Sequence, residues 1–167
     1  MVDGMIFIWV EKEYIYEIVK HLESMDFFYV ENVCYIELNR EKEKEVRNFG
    51  TIDATPAIIN DPFTYLKKSH RSLLMFRRVS KDGHLELRHQ RTGDVVFNWR
   101  DEMKPWLKPD FYMYRLIETL LPKAMVEKKK ESGGRDPRKN LTHFKMVELW
   151  AQNKVPRKGW LKVIGLN

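Results

Sequence analysis

The residues Asn60, Asp61, Pro62 and Phe63 place an amide, a carboxylate, a proline and an aromatic ring side by side, at the end of a short apolar run. Chemistry on the exocyclic amine of a base needs an amide or carboxylate acceptor, a stiffened backbone carbonyl and a ring on which the extruded base stacks. The same residues are also typical of a turn, because Asn and Asp hydrogen-bond their own backbone and Pro fixes φ. On residue types alone, the turn is the favoured interpretation.

Other patterns that carry chemistry are missing from the sequence. It has no glycine-rich phosphate loop, no His-x-x-x-His pair and no nucleophile elbow. The single cysteine, Cys34, lies in an apolar run, so thiols build neither a disulfide framework nor a zinc site. We therefore expect no metal site.

Basic residues bracket one predicted strand and cluster again in a later loop. The candidates for nucleic-acid contact are Lys67, Lys68, Arg71, Arg77, Arg78, Lys128, Lys129, Lys130, Arg135, Arg138 and Lys139. Such side chains neutralise phosphates, and nearby aromatic residues such as Tyr65 and Trp99 can stack on unpaired bases. The alternative is a solvated surface that keeps the protein soluble, and charge alone does not separate the two.

The composition is that of a globular protein with a charge suited to a polyanion partner. The 167 residues are 43% hydrophobic, and the formal net charge is +6. The longest apolar run, from Met5 to Val10, is too short to span a bilayer, and the N-terminus lacks the pattern of a secretory leader. We expect one soluble, intracellular domain spanning 1–167, without membrane contact.

The hydrophobic pattern predicts alternating strands and helices, which indicates the α/β class. Met5 to Val10 has the continuous apolar pattern of a strand inside a parallel sheet. Glu11 to Met25 has the apolar spacing of an amphipathic helix, and a strand from Phe27 to Leu38 completes a βαβ unit. Further strands are predicted at Leu73 to Val79, Leu85 to Arg88, Asp94 to Trp99, His143 to Trp150 and Trp160 to Ile164, the last two joined by a turn, with a helix at Asp110 to Leu121.

Two long connections interrupt these elements. The segment 39–66 is long for a compact domain, and such connections are often functional. It carries apolar residues whose exposure on a free monomer would be costly, so we expect them at an interface: Phe49, Ile52, Ile58, Ile59, Phe63 and Tyr65. The segment 127–140 has charges, glycines and a proline but nothing to bury, which predicts a disordered basic loop.

Four blocks occur in a distinctive order: "DGMIFIWV", "SHRSLLMFRR", "LKPDFYMYRLIETLLP" and "VELWAQNKVPRKGWLKVIGLN". In this order they resemble the messenger-RNA N6-adenosine methyltransferase family of the seventy-kilodalton-subunit type, which includes ciliate DNA adenine methylases and their non-catalytic subunits. The first and third blocks resemble the family's Gly-x-Leu-Phe-Leu-Trp-Val strand and its Lys-Pro-x-x-x-Tyr-x-x-Ile-Glu-x-Leu-x-Pro helix. The resemblance implies a Rossmann-like methyltransferase sheet flanked by helices, of which this chain holds the C-terminal portion.

The resemblance also implies a degenerate chain. The family's Asp-Pro-Pro-Trp tetrapeptide precedes the Phe-Leu-Trp-Val strand, whereas Asp61-Pro62-Phe63 follows it, in the stretch that family heterodimers use as an interface. Positions that hold S-adenosylmethionine in the family align with substituted residues here: His70, Arg71, Gln152 and Leu166. Losing an Arg and a Lys removes donors for the cofactor's ribose and carboxylate. We therefore expect no catalytic residue and no cofactor in this chain, and S-adenosylmethionine in a catalytic partner.

These implications together predict a non-catalytic subunit of a heteromeric N6-adenine methyltransferase in the nucleus. It would pack against a catalytic methyltransferase-like subunit and help to bind nucleic acid, with DNA favoured. One alternative is a catalytic subunit whose motif-bearing N-terminal half lies outside this sequence, against which the substituted positions argue. A second is a basic nucleic-acid-binding module unrelated to methylation, which leaves the ordered blocks unexplained.

Overall fold

A computed structural model describes residues 3–42, 57–79, 93–100, 111–124, 146–149 and 156–163 of the chain. The described residues up to Arg100 belong to one compact unit, and those from Phe111 onward to a second. The first unit contains β1 (Gly4–Val10), α1 (Ile15–Glu23), β2 (Phe28–Asn39), β3 (Arg71–Arg78) and β4 (Val95–Arg100). The second contains α2 (Phe111–Leu120), β5 (Met146–Leu149) and β6 (Trp160–Val163). The mixed α/β class predicted from the sequence is confirmed.

The first unit is built on a mixed sheet with the strand order β1-β3-β2-β4. β3 is antiparallel to both of its neighbours, whereas β4 pairs with β2 in parallel. β1 and β2 therefore run in the same direction, as a βαβ unit requires, but β3 lies between them. The prediction that β1 lies inside a parallel sheet is wrong, because its neighbour among the described strands is antiparallel. A continuous apolar run indicates that a strand is buried, but it does not show whether the neighbouring strands in the sheet are parallel or antiparallel to it.

Helix α1 packs its apolar stripe on one face of this sheet. The buried cluster there consists of Val10, Leu22, Phe27, Leu74 and Phe76, with Ile6, Ile8, Ile15, Ile18 and Val19 packed against it. The apolar residues of the helix recur at spacings of three and four, so one stripe faces the strands. Asp26, just beyond the helix, has a positive φ of 62°, a left-handed conformation that Asp tolerates better than most residues.

The side chains of β3 alternate between the two faces of the sheet, and both faces are buried along its centre. Leu74 and Phe76 face α1, and Phe76 is 0% exposed. Leu73 and Met75 point to the other face and are also buried. Because of this alternation, each residue near the two ends of β3 can also be assigned to one face of the sheet.

The second unit combines α2 with a two-stranded parallel sheet. Met146 of β5 lies opposite Trp160 of β6, and Leu149 lies opposite Val163. The prediction that a simple turn joins these strands is wrong, because parallel neighbours need a crossover connection. The predicted strand at 85–88 and the predicted basic loop at 127–140 lie outside the described residues.

Candidate functional site

The carboxyl ends of β1 and β2 and the start of β3 meet at one edge of the sheet. Glu11 directly follows β1, Glu37 lies near the end of β2, and Arg71 begins β3. Open α/β sheets bind their ligands in the crevice outside the carboxyl ends of the strands. This edge is therefore the candidate functional site, and we call the cavity there the carboxyl-end recess.

The carboxyl-end recess is small and lined mainly by polar groups. Its volume is about 60 Å³. Its titratable side chains other than Tyr35 are Glu11, Glu37, Asp61, Lys68, His70 and Arg71. Pockets that bury drug-sized ligands have volumes of about 300–1,000 Å³. The volume of the recess that the described residues form lies well below this range.

An ion pair joins Glu11 and Lys68 in the wall of the recess. The Lys68 ammonium nitrogen lies 2.6 Å from Glu11 Oε2. The hydrogen bond from Lys68 lowers the pKa of Glu11, and the same bond raises the pKa of Lys68. Both side chains are partly exposed, so the pair contributes no more than about 1 kcal/mol to stability. Lys68, a predicted phosphate contact, thus already has a carboxylate partner.

Arg71 lies on a pair of packed aromatic rings. Its guanidinium carbon is 5.0 Å from the centre of the Trp9 ring, and Trp9 packs edge to face on Tyr35 at 5.7 Å. The Tyr35 hydroxyl accepts a hydrogen bond of 2.7 Å from Asn98 Nδ2, which fixes this buried ring. His70 and Arg71, two of the four positions that the resemblance aligns with cofactor-binding residues of the family, line the recess. The other two, Gln152 and Leu166, lie outside the described residues.

The Asn60 to Phe63 tetrapeptide belongs to a loop beside the recess. The main-chain N–H of Asp61 donates to the carbonyl of Lys68 at 2.9 Å, and the N–H of Lys68 donates to the carbonyl of Asp61 at 2.8 Å. The Asp61 side chain is exposed, and Asn60 Nδ2 donates to the Ile58 carbonyl at 3.0 Å. In this loop the Asn60 side chain therefore bonds the local backbone, whereas Asp61 takes part in a short main-chain bridge with Lys68.

Two of the predicted interface residues instead anchor this loop to the sheet. Ile58 forms a bridge with Leu38 and packs on the small core of Leu38 and Ala57. The main-chain N–H of Ile59 donates to the Glu37 carbonyl at 2.9 Å. Both isoleucines are half-buried, so the stem of the loop is held on β2.

The middle of the loop carries the exposed apolar surface. Phe63 is half-buried, with the Lys12 ammonium 5.0 Å from the centre of its ring. Tyr65 is 94% exposed, and the adjacent Leu66 is 71% exposed. Phe49 and Ile52, the remaining predicted interface residues, lie outside the described part of the chain. A free apolar surface is therefore found at Tyr65 and Leu66.

The basic residues predicted to bind nucleic acid lie at two separate edges of the sheet. Lys67 and Arg71 are exposed near the start of β3, and Arg77 lies six residues further along the strand, or roughly 20 Å away. Arg78 points to the opposite face from Arg77, where it lies 3.8 Å from an Asp26 carboxylate oxygen. The six basic residues between 128 and 139 lie outside the described ranges.

Arg77 is half-buried, near the end of β3 that lies away from the recess. Its Nε is buried and has no hydrogen-bond partner among the described residues. Leaving a buried donor unpaired costs about 1–3 kcal/mol. Phe28 lies directly opposite Arg77 in the ladder of β2 and β3 and is 61% exposed. Sequence analysis did not identify Phe28, because the residue opposite Arg77 depends on strand register.

A network of polar and aromatic side chains in the second unit was also missed by sequence analysis. It consists of Tyr114, Glu118, Glu148, Arg157, Trp160 and Lys162. Arg157 donates two hydrogen bonds, of 2.6 and 2.7 Å, to the two carboxylate oxygens of Glu118, and Trp160 Nε1 donates a third of 2.9 Å. The hydrogen bond from Arg157 lowers the pKa of Glu118 and raises that of Arg157. Bidentate pairs of this kind are among the strongest polar contacts in proteins.

Tyr114 lies at the centre of this network. Its ring packs edge to face on Trp160 at 5.1 Å, and the Arg157 and Lys162 cations lie 4.7 and 5.3 Å from its centre. Its hydroxyl donates to Glu148 Oε2 at 2.7 Å, and Lys162 lies 3.5 Å from the same oxygen. Because each charge is matched by an opposite one, the network stabilises the unit rather than offering a free binding group.

No group of three His, Cys, Asp or Glu side chains among the described residues could hold a metal ion. Within those ranges, no helix combines the length and apolar character needed to cross a bilayer. Compared with known proteins, the sequence matches no protein-family model and no curated protein.

Proposed function

We propose that this chain is a non-catalytic subunit of a heteromeric, S-adenosylmethionine-dependent N6-adenine methyltransferase. It packs against the catalytic subunit, which binds the cofactor, and it helps to hold the nucleic acid, with DNA favoured, in the nucleus. The observation that carries the proposal is the carboxyl-end recess. At the place where an α/β fold binds its ligand, this chain has a cavity of about 60 Å³ whose wall contains the Glu11–Lys68 ion pair.

Within this proposal, the four-stranded sheet is one side of a Rossmann-like methyltransferase sheet. The common direction of β1, β2 and β4 and the packing of α1 on one face support this assignment. An antiparallel strand such as β3 is common in doubly wound sheets that are otherwise parallel. The ordered blocks that resemble the methyltransferase family support the same assignment.

Tyr65 and Leu66 are the residues that we propose to contact the catalytic subunit. They are 94% and 71% exposed, in the middle of a loop whose stem is fixed by Ile58, Ile59 and the Asp61–Lys68 main-chain pair. Aromatic residues are enriched at the centres of protein interfaces, and an anchored loop loses little conformational freedom on binding. Their burial in a complex would remove the most exposed apolar side chains of this segment from water.

Co-expression with a catalytic subunit that carries an intact Asp-Pro-Pro-Trp motif tests the proposal. We expect the two chains to co-purify and to transfer tritiated methyl groups from S-adenosylmethionine to adenine-containing DNA. This chain alone should transfer none. Failure to raise the activity of any such subunit, or methyl transfer by this chain alone, would overturn the proposal; the second result would favour the catalytic alternative.

A matched pair of variants tests the contact surface. Tyr65→Asp combined with Leu66→Asp should abolish co-purification and with it the stimulation of methyl transfer. Tyr16→Asp is the control, because Tyr16 is also an exposed tyrosine, at 70%, but lies on α1. If the two variants co-purify with the catalytic subunit to the same extent, the loop does not form part of the interface.

A further inference from the structure

Arg77 and Phe28 form a cross-strand pair near the edge of the sheet opposite the carboxyl-end recess. They are direct partners in the antiparallel ladder, so their side chains share one face, with Cβ atoms about 5 Å apart. Phe28 is 61% exposed, although a ring of this size is usually buried. Met5 of β1 lies opposite Arg77 on its other side, which completes a row of three side chains.

Arg77 has no carboxylate partner among the residues that the structure describes, in contrast to several other cations in the same ranges. Carboxylate oxygens lie 2.6 to 3.9 Å from the charged nitrogens of Lys68, Arg78, Arg100, Arg157 and Lys162. The side chain of Arg77 makes no hydrogen bond, ion pair or ring contact with any residue in the described ranges, and its Nε is buried. Turning its guanidinium toward a ligand would therefore break no hydrogen bond that the structure describes.

We propose that Arg77 and Phe28 together bind one nucleotide of a single-stranded nucleic acid. The guanidinium pairs with a phosphate, for which its planar fork is suited, and the ring stacks on an unpaired base. The net charge of +6 favours approach of a polyanion. The inference rests on the proposed function for the nature of the polymer, because an adenine must leave its duplex before its amino group can be methylated.

The negative charge of Glu31 provides a further test of the proposed site. It is exposed and lies opposite Met75, which places it on the same face as Phe28 and Arg77. A carboxylate there repels a phosphate bound by Arg77. Glu31→Gln should therefore strengthen binding of the strand, an effect that a purely structural role for Arg77 would not produce.

Fluorescence anisotropy of the purified full chain with a labelled, adenine-containing single strand tests the site. Phe28→Ser should weaken binding by about tenfold, the loss expected for one stacked base. Arg77→Met should reduce the slope of log K against log salt by about 0.7, the value for one phosphate of a single strand. Tyr16→Ser and Lys20→Ala, both exposed on α1, are the matched controls and should bind as the unsubstituted chain does.

Three further measurements decide between explanations. A duplex of the same sequence should compete poorly, and competition equal to that of the single strand would overturn the inference. Equal competition by poly-glutamate would also overturn it, because it would assign Arg77 to an acidic protein partner. The melting temperature of Arg77→Met should not fall, since Nε has no acceptor to lose among the described residues. A clear fall with unchanged binding would give Arg77 a structural role and overturn the inference.

The outcome is separable from that of the proposed function. Binding that depends on Phe28 and Arg77, without stimulation of any methylase, would overturn the proposed function and leave this site standing. Stimulation of the methylase with unchanged binding in both variants would overturn this inference alone.

Discussion

Asp61 and Lys68 exchange two main-chain hydrogen bonds, of 2.9 and 2.8 Å, and thereby close the loop that contains the Asp-Pro-Phe sequence. The Asp61 carboxylate is exposed, whereas the Lys68 ammonium pairs with Glu11. The loop therefore depends on the backbone of Asp61 more than on its side chain.

Substitutions at Asp61 should separate backbone from side chain. Asp61→Ala should change the free energy of unfolding by no more than about 0.5 kcal/mol, as expected for an exposed side chain, and should leave methylation by the complex intact. Asp61→Pro removes the N–H that donates to Lys68, so it should destabilise the loop and weaken assembly with the catalytic subunit. Urea denaturation and methyl-transfer assays measure both. Loss of activity in an assembled Asp61→Ala complex would make this residue catalytic and the turn interpretation wrong.

The core beneath α1 should be sensitive to truncation of one ring. Phe76→Ala should lower the free energy of unfolding by about 3–5 kcal/mol, because Phe76 is fully buried and its loss leaves a cavity. Phe97→Ala on β4 is the control, since Phe97 is 55% exposed and should cost much less. Urea denaturation of the two variants gives the comparison. Equal losses would contradict the core assignment.

The Glu118–Arg157 pair should be strongly coupled. Glu118→Ala removes the acceptor of two hydrogen bonds from Arg157 and of one from the Trp160 N–H, so we expect a loss of about 1–3 kcal/mol. The double variant with Arg157→Ala should lose less than the sum of the single variants. A double-mutant cycle on thermal or chemical unfolding measures this coupling, and strict additivity would show that the bidentate geometry contributes nothing.

Acid should weaken both units through two named carboxylates. Hydrogen bonds from Lys68 and Arg157 lower the pKa values of Glu11 and Glu118 from their ordinary 4.5. At pH values between the folded and the ordinary pKa of these two carboxyl groups, the unfolded chain binds more protons than the folded chain. The stability that the two hydrogen-bonded carboxylates contribute is therefore present above about pH 4.5 and is lost as the pH falls through their folded pKa values.

Replacing both carboxylates should remove part of this pH dependence. The melting temperature of the Glu11→Gln, Glu118→Gln variant should fall less between about pH 5 and pH 3 than that of the unsubstituted chain. Glu17→Gln with Glu23→Gln, two exposed glutamates of α1, is the matched control and should follow the unsubstituted chain. Identical acid profiles for all three proteins would contradict the assignment.

The local elements of the fold were predictable from the sequence, whereas their arrangement was not. The apolar run of β1 and the stripe of α1 are local patterns, and both elements form where they were predicted, within a few residues. The insertion of β3 between β1 and β2 joins residues far apart in the sequence, such as Gly4 and Arg78. The spacing of apolar residues within a strand does not specify which strand pairs with it, so the order of the strands in the sheet could not be predicted from that spacing.

The candidate site was predictable only in part, for a similar reason. Asp61 could be predicted to lie in a loop, where the structure places it, because the preference of Asn, Asp and Pro for irregular backbone is local. Whether a basic side chain is already paired with a carboxylate could not be predicted from the sequence. Lys68 pairs with Glu11, whereas Arg77 has no carboxylate partner among the described residues. Both facts depend on contacts between distant segments.

The position of β3 has a consequence for how the chain folds during synthesis. β1 and β2 do not pair with each other, so the sheet cannot begin to close until the residues of β3 have left the ribosome. Among the described elements made before β3, α1 is the one that packs on the apolar strand β1. Closing the long connection before β3 is an entropic cost that precedes any pairing with β3. Contacts between segments so far apart in sequence form more slowly than local ones. A nascent chain that stalls before Arg71 would expose an apolar strand with unpaired edges, which chaperones and proteases recognise.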